Sequence, residues 1–75
     1  MQHSIDPTFE AVEHYAVDRG RRSGDVYGWA PLERGKHPRA LLVVAEDAPP
    51  ESFPSDIAGV AVALRAVPMP EPQRR

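Results

Sequence analysis

The middle of the chain carries its strongest structural signal: residues 39–45 read Arg-Ala-Leu-Leu-Val-Val-Ala. Six apolar residues in succession, bounded by polar segments, are typical of a strand that is covered on both faces, and the run is short for a helix. Residues 33–38 before it contain Gly and Pro, and residues 46–54 after it contain three prolines. We therefore predict a central buried strand between two loops.

A second strand is predicted on the N-terminal side of this run, because residues 25–32 alternate in character. One face of that strand would carry Val26, Gly28, Ala30 and Leu32, and the other face would carry Tyr27 and Trp29. The polar segment 33–38 then reads as the loop of a hairpin that leads into the central strand.

A third strand is predicted over residues 60–67, with Val60, Val62 and Leu64 on one face. Residues 55–58 are expected to form one helical turn before Gly59. The Pro-rich segment 68–75 has no apolar periodicity and is predicted to be an extended or flexible tail. Residues 1–67 then make a single small domain.

The N-terminal part of the chain predicts a helix over about residues 7–19. Asp6 is suited to accept hydrogen bonds from the first free N–H groups, and Pro7 is suited to the first helical position. An apolar stripe at helical spacing follows, formed by Phe9, Val12 and Ala16. Gly20 is the predicted terminator. The fold class is therefore α+β, one helix followed by a three-stranded, mainly antiparallel sheet in the order α-β-β-β.

Composition limits the function. The chain has 75 residues, no Cys and a formal net charge of −2. Disulfides and thiolate metal sites are excluded, and the whole molecule is not a basic nucleic-acid binder. No apolar run approaches the ~20 residues of a membrane helix, and the N-terminus lacks a secretory pattern, so a soluble, cytoplasmic protein is expected. Domains this small commonly need an additional stabilising contact, and self-association is the favoured one here.

The predicted elements leave apolar surface without a partner from the same chain. One helix covers one face of a sheet, yet the second and third strands carry apolar side chains on both faces. Exposed apolar sheet surface generally marks a contact site. We expect a protein partner or a second copy of the chain, bound through Tyr27, Trp29, Leu42 and Val44. For the two rings a core position beside Phe53 and Pro54 is an equal alternative.

Nucleic-acid binding is the main alternative function. Basic residues concentrate in the first connection and the hairpin, around the two aromatic rings of the first strand. Cations suit phosphates and rings suit bases. The residues for this alternative are Arg19, Arg21, Arg22, Arg34, Lys36 and Arg39. Acidic residues elsewhere in the chain balance them.

Chemistry at a catalytic or metal centre has little support in the sequence. No serine lies in a G-x-S-x-G elbow, and no Gly-rich phosphate motif is present, so neither an enzyme nor a cofactor is expected. Glu10, His14 and Asp18 follow one another at i, i+4 and i+8, which would place them on one helical face as a weak candidate for a divalent metal. The alternative for this set is a solvated helix face.

Residues 26–67 resemble the small α/β segment that precedes trypsin-like serine-peptidase domains in some bacterial proteins. The matching stretches are residues 26–29 (Val-Tyr-Gly-Trp), 40–44 (Ala-Leu-Leu-Val-Val) and 54–62, which fits a P-x-x-I-x-G-V-x-V pattern. Ala61 stands where that segment commonly has proline, and Trp29 is a second departure. The resemblance implies an accessory or pro-segment-like module, with inhibition of a peptidase as a further possible function. It transfers no catalytic residue.

Overall fold

The computed structural model of the chain describes residues 7–68 and confirms the α+β class. One helix is followed by four strands, and two short 3-10 turns cover Pro7–Phe9 and Pro50–Ser52. The main elements are α1 (Glu10–Ser23), β1 (Val26–Glu33), β2 (Arg39–Ala45), β3 (Asp56–Ile57) and β4 (Val60–Val67). Residues 69–75 of the predicted tail lie outside the described part.

The sheet is mixed and four-stranded, with the strand order β1-β2-β4-β3. β1 and β2 form the predicted antiparallel hairpin, but β2 and β4 run parallel, and β3 pairs antiparallel with β4. The prediction of a three-stranded, mainly antiparallel sheet was therefore imprecise, because the sheet has a fourth strand and its central pair is parallel. The long connection between β2 and β4 returns the chain to the end of the sheet where β2 starts, which permits parallel pairing.

Residues 55–58 do not form the predicted helical turn. Asp56 and Ile57 instead pair with the first residues of β4. Ala58 and Gly59 join the two strands with φ angles of 51° and 85°. Two central residues with positive φ are the signature of a tight type I′ hairpin turn, and glycine accommodates one of them without strain.

The helix is longer at its C-terminal end than predicted. It ends at Ser23 and is capped by Gly24, whose φ is 72° and whose N–H donates to the carbonyl oxygen of Gly20 at 3.0 Å. Gly20 lies inside the helix for a different reason. A Cβ atom at this position would lie 2.9 Å from the carbonyl oxygen of Val26, so the absence of a side chain lets the helix approach β1 closely. Asp6, the predicted cap, lies outside the described residues.

The core lies between α1 and one face of the sheet. Its largest fully buried side chains are those of Phe9, Val12, Leu42 and Val60. Phe53, from the β2–β4 connection, closes the same cluster. The connection and the helix therefore cover the same face of the sheet, and we call this side the inner face.

A β-bulge reverses the expected orientation of β1. Val26 pairs with Val44, but Gly28 pairs with Val43, so β1 has one extra residue between these two pairs. Trp29 consequently lies opposite Leu42 on the inner face, with its ring centroid 6.1 Å from that of Phe9. The prediction that Trp29 points away from Val26 was wrong, because strict alternation fails at a bulge.

Candidate protein-interaction surface

The side of the sheet away from α1, which we call the outer face, is largely apolar. Cross-strand partners in a sheet share a face, so the register of β1, β2 and β4 defines it. Its central residues are Gly28, Ala30, Leu41, Val43, Ala63, Arg65 and Val67. None of them belongs to the core cluster. Within residues 7–68, no helix or loop residue joins them in a second core.

The charges on the outer face are unevenly placed. Glu33 and Arg39 face each other at the end where β1 meets β2, and Asp56 lies at the same end on β3. Arg65 is separate from these charged residues and has an apolar cross-strand neighbour, Val43. The middle of the face thus consists of small and aliphatic side chains with a single guanidinium group at one margin.

Two of the four predicted interface residues are part of the core. Leu42 is 0% exposed and Val44 is 3% exposed, so neither can meet a partner in the folded chain. Their neighbours Leu41 and Val43 point to the outer face and are partly exposed. In an unbroken apolar run, the sequence does not show which alternate residues face the core. The prediction assigned Leu42 and Val44 to the interface, but these two residues face the core.

The two predicted aromatic anchors have different positions. Trp29 is partly buried and packs against the core cluster, which includes Phe53. Tyr27 lies in the bulge of β1 and is partly exposed. It lines a groove of about 620 Å³ with Asp25, Ala45 and Pro49 among other residues. Of the four predicted interface residues, Tyr27 therefore remains the candidate for partner contact.

The Arg19 side chain donates five hydrogen bonds, which connect separate segments of the chain. Its Nε and Nη2 atoms donate to the two carboxylate oxygens of Asp25 at 3.1 and 2.9 Å. Nη1 donates to the hydroxyl of Tyr15 and to the carbonyl oxygen of Ser52, both at 3.0 Å. Nη2 also donates to Ser52 Oγ at 3.0 Å, and the guanidinium carbon lies 4.3 Å from the centre of the Phe53 ring.

These contacts give Arg19 a structural role. It joins α1 to the start of β1 and to the β2–β4 connection, three segments that no continuous secondary structure links. The Asp25 carboxylate raises the pKa of Arg19, because it stabilises the charged guanidinium group. The prediction of Arg19 as a phosphate contact is corrected, since its donors are already committed to the protein.

The remaining basic residues do not form one surface. Arg21 and Arg22 lie at the C-terminal end of α1, where Arg22 pairs with Asp18 at 3.0 Å. Arg34, Lys36 and Arg39 lie at the other end of β1, which is about 25 Å away for an eight-residue strand. The Arg34 guanidinium lies over the Phe9 ring at 5.4 Å. The structure therefore divides the predicted nucleic-acid residues into two separate groups.

The candidate metal ligands lie along α1, as predicted, but do not converge. Glu10, His14 and Asp18 are all exposed, and Asp18 is engaged by Arg22. Among residues 7–68, no three His or acidic side chains are close enough to hold a metal ion. The same part of the chain has no helix long and apolar enough to cross a membrane.

Comparisons with known proteins do not identify a family or a function for this chain. No protein-family model matches the chain, and no curated protein and no solved structure matches it either. The resemblance to a segment preceding peptidase domains therefore stays a prediction from the residues alone.

Proposed function

We propose that this chain is a non-catalytic protein-interaction or regulatory module that binds its partner through the outer face of its sheet. The observation that carries the proposal is the apolar surface around Leu41, Val43 and Ala63, whose side chains are partly exposed and lie outside the core cluster of residues 7–68. Continuous apolar surface on a small domain is costly to leave in water and generally marks a binding site.

The small size of the outer face favours docking on a larger protein over simple self-association. Three strands about 4.8 Å apart, with four outward-facing rows about 6.6 Å apart because only alternate residues share a face, cover roughly 400 Å² in projection. A stable pair of proteins usually buries about 800 Å² on each partner. A homodimer through this face alone would be weak. A partner that also contacts neighbouring parts of the domain would bind more firmly, and Tyr27 is one such neighbour.

The absence of cysteine from the sequence makes a direct test possible, because one introduced thiol is unique. We compare Val43→Cys on the outer face with Val17→Cys, since Val17 is 51% exposed on the helix. Each variant is produced in the native host, and a short bifunctional thiol–amine reagent is added. We expect one discrete cross-linked product from position 43 and none from position 17. Equal behaviour at both positions contradicts the proposal.

Sedimentation of the purified chain separates the two kinds of partner. A dimer at high micromolar concentration that Val43→Glu dissociates supports the homodimer version. A monomer that still gives the cross-link in the host supports docking on another protein. Circular dichroism of each variant checks that the fold is retained.

The two alternative functions have less support. Nucleic-acid binding would have to use either Arg21 and Arg22 or the hairpin group, since these lie at opposite ends of β1. A titration with single-stranded DNA at about 50 mM salt tests it, because binding through phosphates is strongest at low salt. Peptidase inhibition rests on the resemblance alone, and no contact in the structure favours it.

A further inference from the structure

The two edges of the sheet are built differently, and the β1 edge is poorly suited to accept another strand. β1 contains Pro31, which has no N–H group. Its register against β2 shifts between Val26 and Gly28 and again between Pro31 and Glu33. Prolines and bulges are two of the features that keep edge strands from pairing with other chains.

The opposite edge lacks these features along most of β4. β3 pairs with Val60 and Ala61 alone, and the N–H of Val62 donates to the carbonyl oxygen of Ser55 at 3.0 Å. Beyond Val62, no residue in the described part of the chain pairs with β4 on that side. β4 contains neither Pro nor Gly and keeps an uninterrupted register with β2. Residues 63–67, which we call the β4 edge, therefore form a regular and open strand edge.

The backbone direction shows which groups the β4 edge presents. The N–H of Ala61 donates to Pro38 on the β2 side, whereas that of Val62 donates to Ser55 on the opposite side. Successive residues of an extended strand direct their backbone groups to alternate sides. Leu64 and Ala66 therefore direct their N–H and C=O groups to the open side. These are two donors and two acceptors at the spacing of a β-ladder.

Two antiparallel arrangements of a second copy of the chain fit this edge poorly. Antiparallel pairing that uses Leu64 and Ala66 of both copies would place Arg65 directly opposite Arg65 of the other copy, at a Cα separation of about 4.5 Å. Like charges directly opposite each other are destabilising. Pairing centred on Leu64 would need the position beside Val62, which Ser55 occupies.

The chain's own C-terminal segment also fits the β4 edge poorly by composition. Three of the eight residues in 68–75 are prolines, which cannot donate to a ladder. Arg65, by contrast, is exposed on the outer face beside Val43, with Ala63 and Val67 on either side of it. An opposed carboxylate would be attracted there, and apolar side chains would suit the positions on either side.

On the basis of the function proposed above, we infer that the β4 edge accepts an extended segment of a partner protein. The segment has Asp or Glu opposite Arg65 and an apolar residue two positions to either side. Main-chain hydrogen bonds to Leu64 and Ala66 supply the attachment, and Arg65 selects the acidic residue. Strand addition with alternate side chains providing specificity is an established mode of peptide recognition.

The test uses a blocked synthetic heptapeptide, Thr-Val-Thr-Glu-Thr-Val-Thr, titrated into the 15N-labelled full chain. We expect amide shifts concentrated in residues 63–67 and slowed hydrogen exchange at Leu64 and Ala66. A peptide with Lys in place of Glu is expected to bind at least tenfold more weakly. N-methylation of the two threonines beside the Glu should abolish binding, because it removes their ladder donors.

Charge exchange provides the decisive control. The Arg65→Glu variant should prefer the Lys peptide to the Glu peptide, and its unchanged circular dichroism would show that it is folded. Affinity that does not depend on the charge at position 65, shifts that map to β1, or no binding at millimolar peptide would overturn the inference.

Occupation of the edge by the chain itself would overturn the inference as well. Slow hydrogen exchange at Leu64 and Ala66 in the free protein would show such occupation. Deletion of residues 69–75 would restore fast exchange if the C-terminal segment is the occupant, and dilution would restore it if a second copy is.

The outer-face proposal and the β4-edge inference can fail separately. A specific cross-link from Val43→Cys without peptide binding removes the edge inference alone, and peptide binding without that cross-link removes the outer-face function alone.

Discussion

Substitution of Gly20 by alanine adds a Cβ atom that has two opposing effects on stability: it favours the helix, and it crowds the neighbouring strand. In a helix interior, alanine is favoured over glycine by about 1 kcal/mol. In this helix, however, the new Cβ would lie 2.9 Å from the carbonyl oxygen of Val26. Carbon and oxygen atoms in ordinary contact are about 3.4 Å apart, so helix and strand would have to separate by roughly 0.5 Å.

The contact is the larger effect, because both atoms belong to the backbone of regular elements. Forcing an additional methyl group into a well-packed interior typically costs about 1–3 kcal/mol. We therefore expect Gly20→Ala to lower the free energy of unfolding by about 1 kcal/mol. The expected decrease in Tm is about 4–8 °C for a domain of this size.

Urea unfolding measures this change conveniently, since Trp29 is the single Trp and packs against the core. With a slope of about 1 kcal/mol per M, the midpoint should fall by about 1 M. His14→Ala, an exposed substitution in the same helix, is the matched control and should be slightly stabilising. If Gly20→Ala were stabilising by as much as the helix preference alone predicts, the close contact between α1 and β1 would be refuted.

Three further substitutions test other parts of the fold by the same unfolding assay. Arg19→Met should destabilise by about 2 kcal/mol, because it removes the partly buried ion pair with Asp25 and the cation–π contact. A raised pKa keeps Arg19 charged, and its contribution is lost only in strongly alkaline solution, so the difference from wild type should stay constant between about pH 6 and pH 9. A difference that falls across this range would contradict that account. Ala58→Gly should raise stability by about 1 kcal/mol, because alanine is strained at a φ of 51° and glycine is not, and a lower Tm would be inconsistent with this turn. Leu42→Ala should cost about 2–5 kcal/mol, since the side chain is fully buried, and a loss below 1 kcal/mol would place Leu42 outside the core.

The sequence was sufficient for the elements that have strong local signals. Helical apolar periodicity predicted α1, alternation predicted β1, and apolar runs predicted β2 and β4, because each pattern is set by residues that are close together in the chain. The hairpin between β1 and β2 was also predictable from the polar loop that joins them. The α+β class followed directly.

The pairing of β2 with β4 and the short strand β3 were not predictable in this way. Both depend on where the β2–β4 connection places the chain in space, and residues 46–59 contain no periodic signal for it. The tight turn at Ala58 lacks the Asn-Gly or Asp-Gly pair that usually identifies such a hairpin. A two-residue strand such as β3 is stabilised by its neighbour, and its own composition does not reveal it.

The interaction surface stays a prediction, and two of the residues that were assigned to it are buried. The deduction that one helix leaves a sheet face uncovered agrees with the position of the core on the inner face. Leu42 and Val44 were chosen in place of Leu41 and Val43, because an unbroken apolar run has no internal marker of direction. The role of Arg19 was missed since its partner Ser52 is far away in sequence, although Tyr15, one helical turn earlier, was a partial signal.

The parallel pairing of β2 with β4 has a consequence for how the domain folds. The helix and the first hairpin involve contacts that are local in the chain, so they are able to form early and quickly. The contacts between β2 and β4 join residues that are distant in sequence, and closing the intervening segment has an entropic cost before any contact compensates for it. During synthesis, the side of β2 that later binds β4 is therefore exposed until β4 emerges. Unpaired strand edges in partly folded chains are prone to aggregate, so β2 is best protected once β4 has paired with it.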